Sequence, residues 1–259
     1  MTVGAVLLAR DGPIATVTLS NPGKKNALDA AMWRQLATVF ADLDADESLR
    51  CVIVRGEGDS FAAGGDLAEF RDARAAVDSA LAYHAQVAAA LQAITSCRHP
   101  VVALILGPCI GGGLEIAAAC DLRIAGTAAQ LGAPINRLGF SMYPPELAGL
   151  LQLVGPAVVR ELLLEGRLLT AHEAYEKGLL TRVVADAAAP AEALATALRI
   201  AAGAPLVARW HKQWIGRLQQ GAPLTPEELR ASFAFLKSAD YAEGLAAFLE
   251  KRAPCFTGQ

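Results

Sequence analysis

The chain has 259 residues, 54% of them hydrophobic, and a mean hydropathy of +0.34, which excludes disorder and suits one large core, alone or with a small appendage. Lys and Arg number 23 against 26 Asp and Glu, and the net charge of −3 leaves no basic footprint for nucleic acid. The five cysteines (Cys51, Cys97, Cys109, Cys120, Cys255) form no CxxC pair, and the N-terminus lacks a basic region followed by a signal-length apolar run. A reduced, cytoplasmic setting is therefore expected.

In chain order, residues 6–8 and 14–19 are predicted strands joined by the turn Arg10-Asp11-Gly12-Pro13. A polar loop, Asn21 to Asn26, leads to Asp29, a good N-cap, and Met32, Leu36, Val39, Phe40 and Leu43 then recur at helical spacing. Residues 51–54 form a buried strand, and residues 67–95 are Ala-rich and mostly helical. Pro100-Val-Val-Ala-Leu-Ile-Leu106 is a further strand, too short to span a membrane. Gly107 and Gly111-Gly112-Gly113 follow, then a helix opening at Leu114-Glu115. Further on, a strand is expected at 122–125, a Gly/Pro-broken loop at 132–145, helices at 146–154, 156–164 and 171–177, and a strand at 182–184. Residues 190–252 are helical with breaks near 203–205 and 221–223. Strands alternating with helices, then a helical tail, make an α/β chain with a helical C-terminal region.

The glycines at 111–113 let the backbone turn tightly, and the helix after them starts with unpartnered N–H groups that attract negative charge. Glu115 sits in its first turn. Amide donors and a carboxylate in one corner suit oxyanion stabilisation combined with proton transfer. A second strand, 52–56, leads to Gly64-Gly65, so two such turns can sit side by side and offer one amide each. Other motifs fail: Ile116 occupies the closing position of a dinucleotide fingerprint, no Lys-Ser/Thr follows Gly113, and neither Gly58-Asp-Ser60 nor Gly139-Phe-Ser141 has the closing Gly of a nucleophile elbow. The four histidines (His84, His99, His172, His211) show no metal-ligand spacing and are read as structural or surface residues, with no metal expected.

Over nearly its whole length the chain resembles the crotonase (enoyl-CoA hydratase/isomerase) superfamily. The resemblance rests on Asn21-Pro-Gly-Lys-Lys-Asn26, Phe61-Ala-Ala-Gly-Gly-Asp66-Leu67, Gly107 through Asp121, Gly178-Leu-Leu-Thr-Arg-Val-Val184 and Glu243 through Arg252, in that order. It implies a ββα spiral core over residues 1–195 that binds acyl-CoA. It also implies a C-terminal helical trimerisation region over 196–259, in a homotrimer or homohexamer. The resemblance places the oxyanion hole on the N–H groups of Gly65 and Gly112 and makes Glu115 a general acid/base. It associates Lys24, Ala63, Asp66, Leu67 and Lys251 with the coenzyme A portion of an acyl-CoA substrate. No permanent cofactor, nucleic acid or membrane partner is implied.

One position departs from the pattern. The family's hydratases use two glutamates, and the second falls on Ile135, which cannot orient water or carry a proton. Three residues are candidates to compensate. Tyr143 either donates a proton or packs beside the prolines; Asn136 can orient but not titrate; Glu146 either points inward or only starts a helix. A hydratase-type lyase is the first expectation. Decarboxylation or thioester hydrolysis using Tyr143, and a catalytically weak acyl-CoA-binding subunit, are the alternatives.

Overall fold

The computed structural model describes residues 4–259. Its main sheet has six strands: β1 (Ala5–Asp11), β2 (Ile14–Ser20), β3 (Cys51–Gly56), β4 (Val101–Ile105), β6 (Leu122–Gly126) and β9 (Arg182–Val184), in that spatial order. β1 and β2 form the antiparallel hairpin predicted around Gly12, and every other neighbouring pair is parallel. A second sheet joins β5 (Pro108–Ile110), β7 (Gln130–Gly132) and β8 (Leu169–Thr170).

The parallel strands are buried on both faces, which is why they appear in the sequence as unbroken apolar runs. Val52, Val54, Val101 and Ala103 face a core formed with α1 (Ala30–Ala45) and α3 (Val77–Ser96). Their neighbours Ile53, Val102 and Leu104 point the opposite way, onto Ala189, Ala193 and Ala197 of α7 (Ala189–Ala201). The expected division after residue 195 falls inside α7, a helix that packs on the sheet as one piece. The helices that leave the sheet begin with α8 (Pro205–Gln219) and continue through α9 (Pro226–Ala231) and α10 (Ala239–Glu250). The predicted cap Asp29 accepts a hydrogen bond from Met32 N at 2.8 Å.

Three elements frame the site. The Ala-rich segment is two helices, α2 (Leu67–Ala73) and α3, separated by a short non-helical link. α4 (Gly112–Ala119) begins at the glycine turn, and its C-terminal carbonyls are held by the buried Arg123, which donates to Cys120 O at 2.6 Å and to Ala117 O at 3.3 Å. A cation at a helix C-terminus also opposes the negative end of the helix dipole. α5 (Pro144–Arg160) starts at two prolines, as a first helical turn tolerates, and bends at Gly155, where φ is 71°. By length and hydropathy, 144–165 is apolar enough to cross a membrane, but it is bent at Gly155 and carries a buried Glu146 on its first turn.

Candidate active site

The two glycine turns lie side by side. Ala62 N–H donates to Pro108 O at 3.0 Å, and Ile110 N–H returns a bond to Ala62 O at 2.9 Å. In each turn the two glycines have different tasks. Gly64 (φ 105°) and Gly111 (φ 50°) hold backbone conformations that side-chain-bearing residues rarely adopt. Gly65 and Gly112 instead supply room: a Cβ on Gly65 would sit 2.8 Å from the Phe70 ring, and one on Gly112 2.9 Å from Trp33. Among the described residues, neither the Gly65 nor the Gly112 N–H donates a hydrogen bond. Both glycines line one cavity of about 240 Å3.

Glu115, on the first turn of α4, lines the same cavity and is buried. Burial, and next the nearby Glu146, push its carboxyl up to about 8, and Arg74 pulls in the opposite direction. Both causes hold Glu115 toward its protonated form.

A second carboxyl group enters from α5. Glu146 is buried, lines the cavity, and has its Oε1 2.6 Å from Nδ1 of His84 on α3. The ring of Tyr143, which caps α5, lies over the His84 ring with centroids 4.9 Å apart. On the same wall, the guanidinium carbon of Arg74 lies over the Phe70 and Phe140 rings. Ile135 is on the wall as an apolar side chain, so the expected site of the second glutamate is vacant and Glu146 brings a carboxyl group in from a different element.

The remaining sequence candidates divide. Ala63, Leu67 and Tyr143 line the cavity with Gly65, Gly112 and Glu115. Asp66 caps α2 by accepting from Ala68 N and pairs with Lys24 beside that wall. Lys251 ends α10, exposed, and does not line the cavity. Asn136 does not serve the site: its Nδ2 donates to Leu164 O at 3.0 Å. Reading His84 as merely structural or surface is corrected by its place on the wall. Its signal was position: it lies beside Tyr83 and one turn before Val87, at the edge of the buried stripe of α3. Arg74, Phe70 and Phe140 carried no such signal. No group of three or more His, Cys, Asp or Glu able to hold a metal occurs among the described residues.

Comparison with known proteins decides the family. The model of the enoyl-CoA hydratase/isomerase family matches residues 9–259. The chain belongs to that family. A Mycobacterium bovis relative named "Probable enoyl-CoA hydratase echA8" is 34% identical over 265 residues, covering 99% of each chain. An enoyl-CoA hydratase/carnithine racemase from Magnetospirillum magneticum has a solved structure that superposes with a TM-score of 0.97 at 48% identity, covering 100% of this chain and 97% of that one. An enoyl-CoA hydratase from Bacillus anthracis superposes with a TM-score of 0.89 at 28% identity, covering 98% and 99%. The α/β architecture expected from the resemblance is thus the crotonase fold of the enoyl-CoA hydratase/isomerase family. Within that fold, Glu146 and His84 line the same cavity as Glu115 and Ile135.

Proposed function

We propose that this protein hydrates an α,β-unsaturated acyl-CoA thioester, with the two free amides of Gly65 and Gly112 as its oxyanion hole. The observation that carries the reading is the second carboxyl group: Glu146 enters the cavity that already holds Glu115. Hydration puts a hydroxyl on the β carbon and a proton on the α carbon. Glu146, oriented by His84, positions the water and accepts its proton as the oxygen bonds to the β carbon. Negative charge moves onto the thioester oxygen, where the two amides receive it; one such donor is typically worth about 3–4 kcal/mol. Protonated Glu115 then delivers a proton to the α carbon, and proton exchange through the site restores both groups.

For the coenzyme A portion, the reading takes Ala63 and Leu67 on the wall, the Lys24–Asp66 pair at the start of α2, and the exposed Lys251. Assembly as a homotrimer or homohexamer belongs to the same proposal, supported by exposed Leu218, Phe233, Leu236, Phe248 and Leu249 in the C-terminal region from α8 to α10. A cytoplasmic location is supported by five free thiols, four of them buried. The presence of Tyr143 on the wall favours decarboxylation or thioester hydrolysis as the second reading.

A panel of crotonyl-CoA, methylmalonyl-CoA and saturated acyl-CoAs separates the readings, with wild type compared to Glu115→Gln and Tyr143→Phe. Hydration lost in Glu115→Gln supports the first. Turnover of methylmalonyl-CoA lost in Tyr143→Phe favours the second. Binding without turnover of any member would leave an acyl-CoA-binding subunit.

A further inference from the structure

Arg74 is the one strongly charged group on the cavity wall that the proposed reaction does not use. It stands at the C-terminus of α2 with its guanidinium carbon 3.8 Å from the Phe70 ring centroid and 4.3 Å from that of Phe140. Its Nε is buried without a hydrogen-bond partner, and among the described residues it has no ion pair. Arginine keeps its charge in proteins, so a partly desolvated guanidinium with no counter-ion is costly unless something else completes it. Neither glutamate does: each acts on Arg74 only at longer range, and Glu146 is engaged by His84. The two rings stand at 79° to each other and hold the guanidinium carbon between them, which leaves its fork of donors for another group. A carboxylate matches that fork with two parallel hydrogen bonds.

Position fixes the size of what fits. The Phe70 ring beneath Arg74 is the same ring that a Cβ on Gly65 would meet at 2.8 Å. Gly65 and Arg74 therefore border the same ring on one cavity wall, so a thioester oxygen at the first and a carboxylate at the second can belong to one short acyl group. Without Arg74, a cavity walled by carboxyl groups offers an incoming anion no counter-charge.

We propose that Arg74 binds a carboxylate at the far end of the acyl group, making the preferred substrate the CoA thioester of a short dicarboxylic acid. The proposal rests on taking this cavity as the acyl site, and it names the substrate class of that site. Arg74 acts on binding and selectivity; the proton transfers remain with Glu115 and Glu146.

The test is binding of saturated probes, which need no turnover. Calorimetric Kd values are measured for succinyl-, glutaryl- and adipyl-CoA and for the equal-length butyryl-, pentanoyl- and hexanoyl-CoA, with wild type, Arg74→Met and Arg74→Lys. Wild type is expected to bind at least one diacid thioester about 10- to 100-fold more tightly than its monoacid counterpart, the range for charged hydrogen bonds. Arg74→Met should abolish that preference while leaving monoacid affinity within about twofold, and Arg74→Lys should keep part of it. Equal binding of every pair by wild type overturns the proposal. So does a preference that survives Arg74→Met, or a loss in Arg74→Met shared by both series, which would make Arg74 merely structural. Diacid preference without hydration would refute the reaction and leave this assignment standing; hydration without diacid preference would do the reverse.

Discussion

Replacing Glu115 by Gln should stabilise the protein above pH 5 while disabling it. The carboxyl's ordinary value is 4.5, and in the folded protein burial first and Glu146 second raise it to about 8. A carboxyl with a folded pKa above its unfolded one binds its proton more tightly when folded. That contribution is complete below pH 4.5 and is lost as pH rises through 8. Each pH unit inside the window removes about 1.4 kcal/mol, so at pH 7 the wild type forfeits roughly 3 kcal/mol on account of this side chain. Gln has nearly the same shape and does not titrate. Urea unfolding of both proteins at one protein concentration, from pH 4.5 to 8, measures the difference directly, and holding concentration fixed keeps any assembly term constant. The variant should gain on the wild type by about 1.4 kcal/mol per pH unit across the window. A difference that stays flat with pH would mean that burial does not hold this carboxyl toward its acid form.

Other substitutions follow from the same geometry. Gly112→Ala places a Cβ 2.9 Å from Trp33, so the amide or the ring must move; kcat should fall by about 10²–10³-fold while thermal melting still shows a folded protein. His84→Phe keeps the stack on Tyr143 but removes the 2.6 Å contact to Glu146. Because it disturbs the orientation of that carboxyl, it should lower kcat by about 30-fold with little change in KM, as measured by steady-state kinetics. Arg123→Met strips the buried carbonyls of Leu179, Cys120 and Ala117 of their donor and should cost about 3 kcal/mol, read as a Tm lower by roughly 5–10 °C.

Much of the fold was legible because its strands are buried on both faces, which leaves runs such as Cys51-Val-Ile-Val54 and Val101-Val-Ala-Leu-Ile105 that few other structures require. The glycine turns were legible as well, since Gly64 and Gly111 occupy backbone conformations that side chains avoid. The second sheet was not: β5, β7 and β8 have two or three residues each, too few to carry a period. Nor was the break between α2 and α3, where Ala75 and Ala76 offer no glycine or proline to mark it. Within the site, Pro144-Pro145 announced the start of α5, but whether Glu146 faced inward depended on how α5 packs against α3. Arg74, after Arg71-Asp72-Ala73, has the pattern of a solvated charged face, and only the rings of Phe70 and Phe140 converging on it reveal otherwise.

Glu115 and Glu146 are proposed to act together in one reaction. The most direct measurement is kcat/KM for enoyl-CoA hydration by wild type, Glu115→Gln, Glu146→Gln and the double variant. Each single change should lower the rate by about 10²–10⁴-fold, and the double variant should lose little beyond the worse single one, as expected of groups serving one step. Hydration by Glu146→Gln at the wild-type rate would contradict the account.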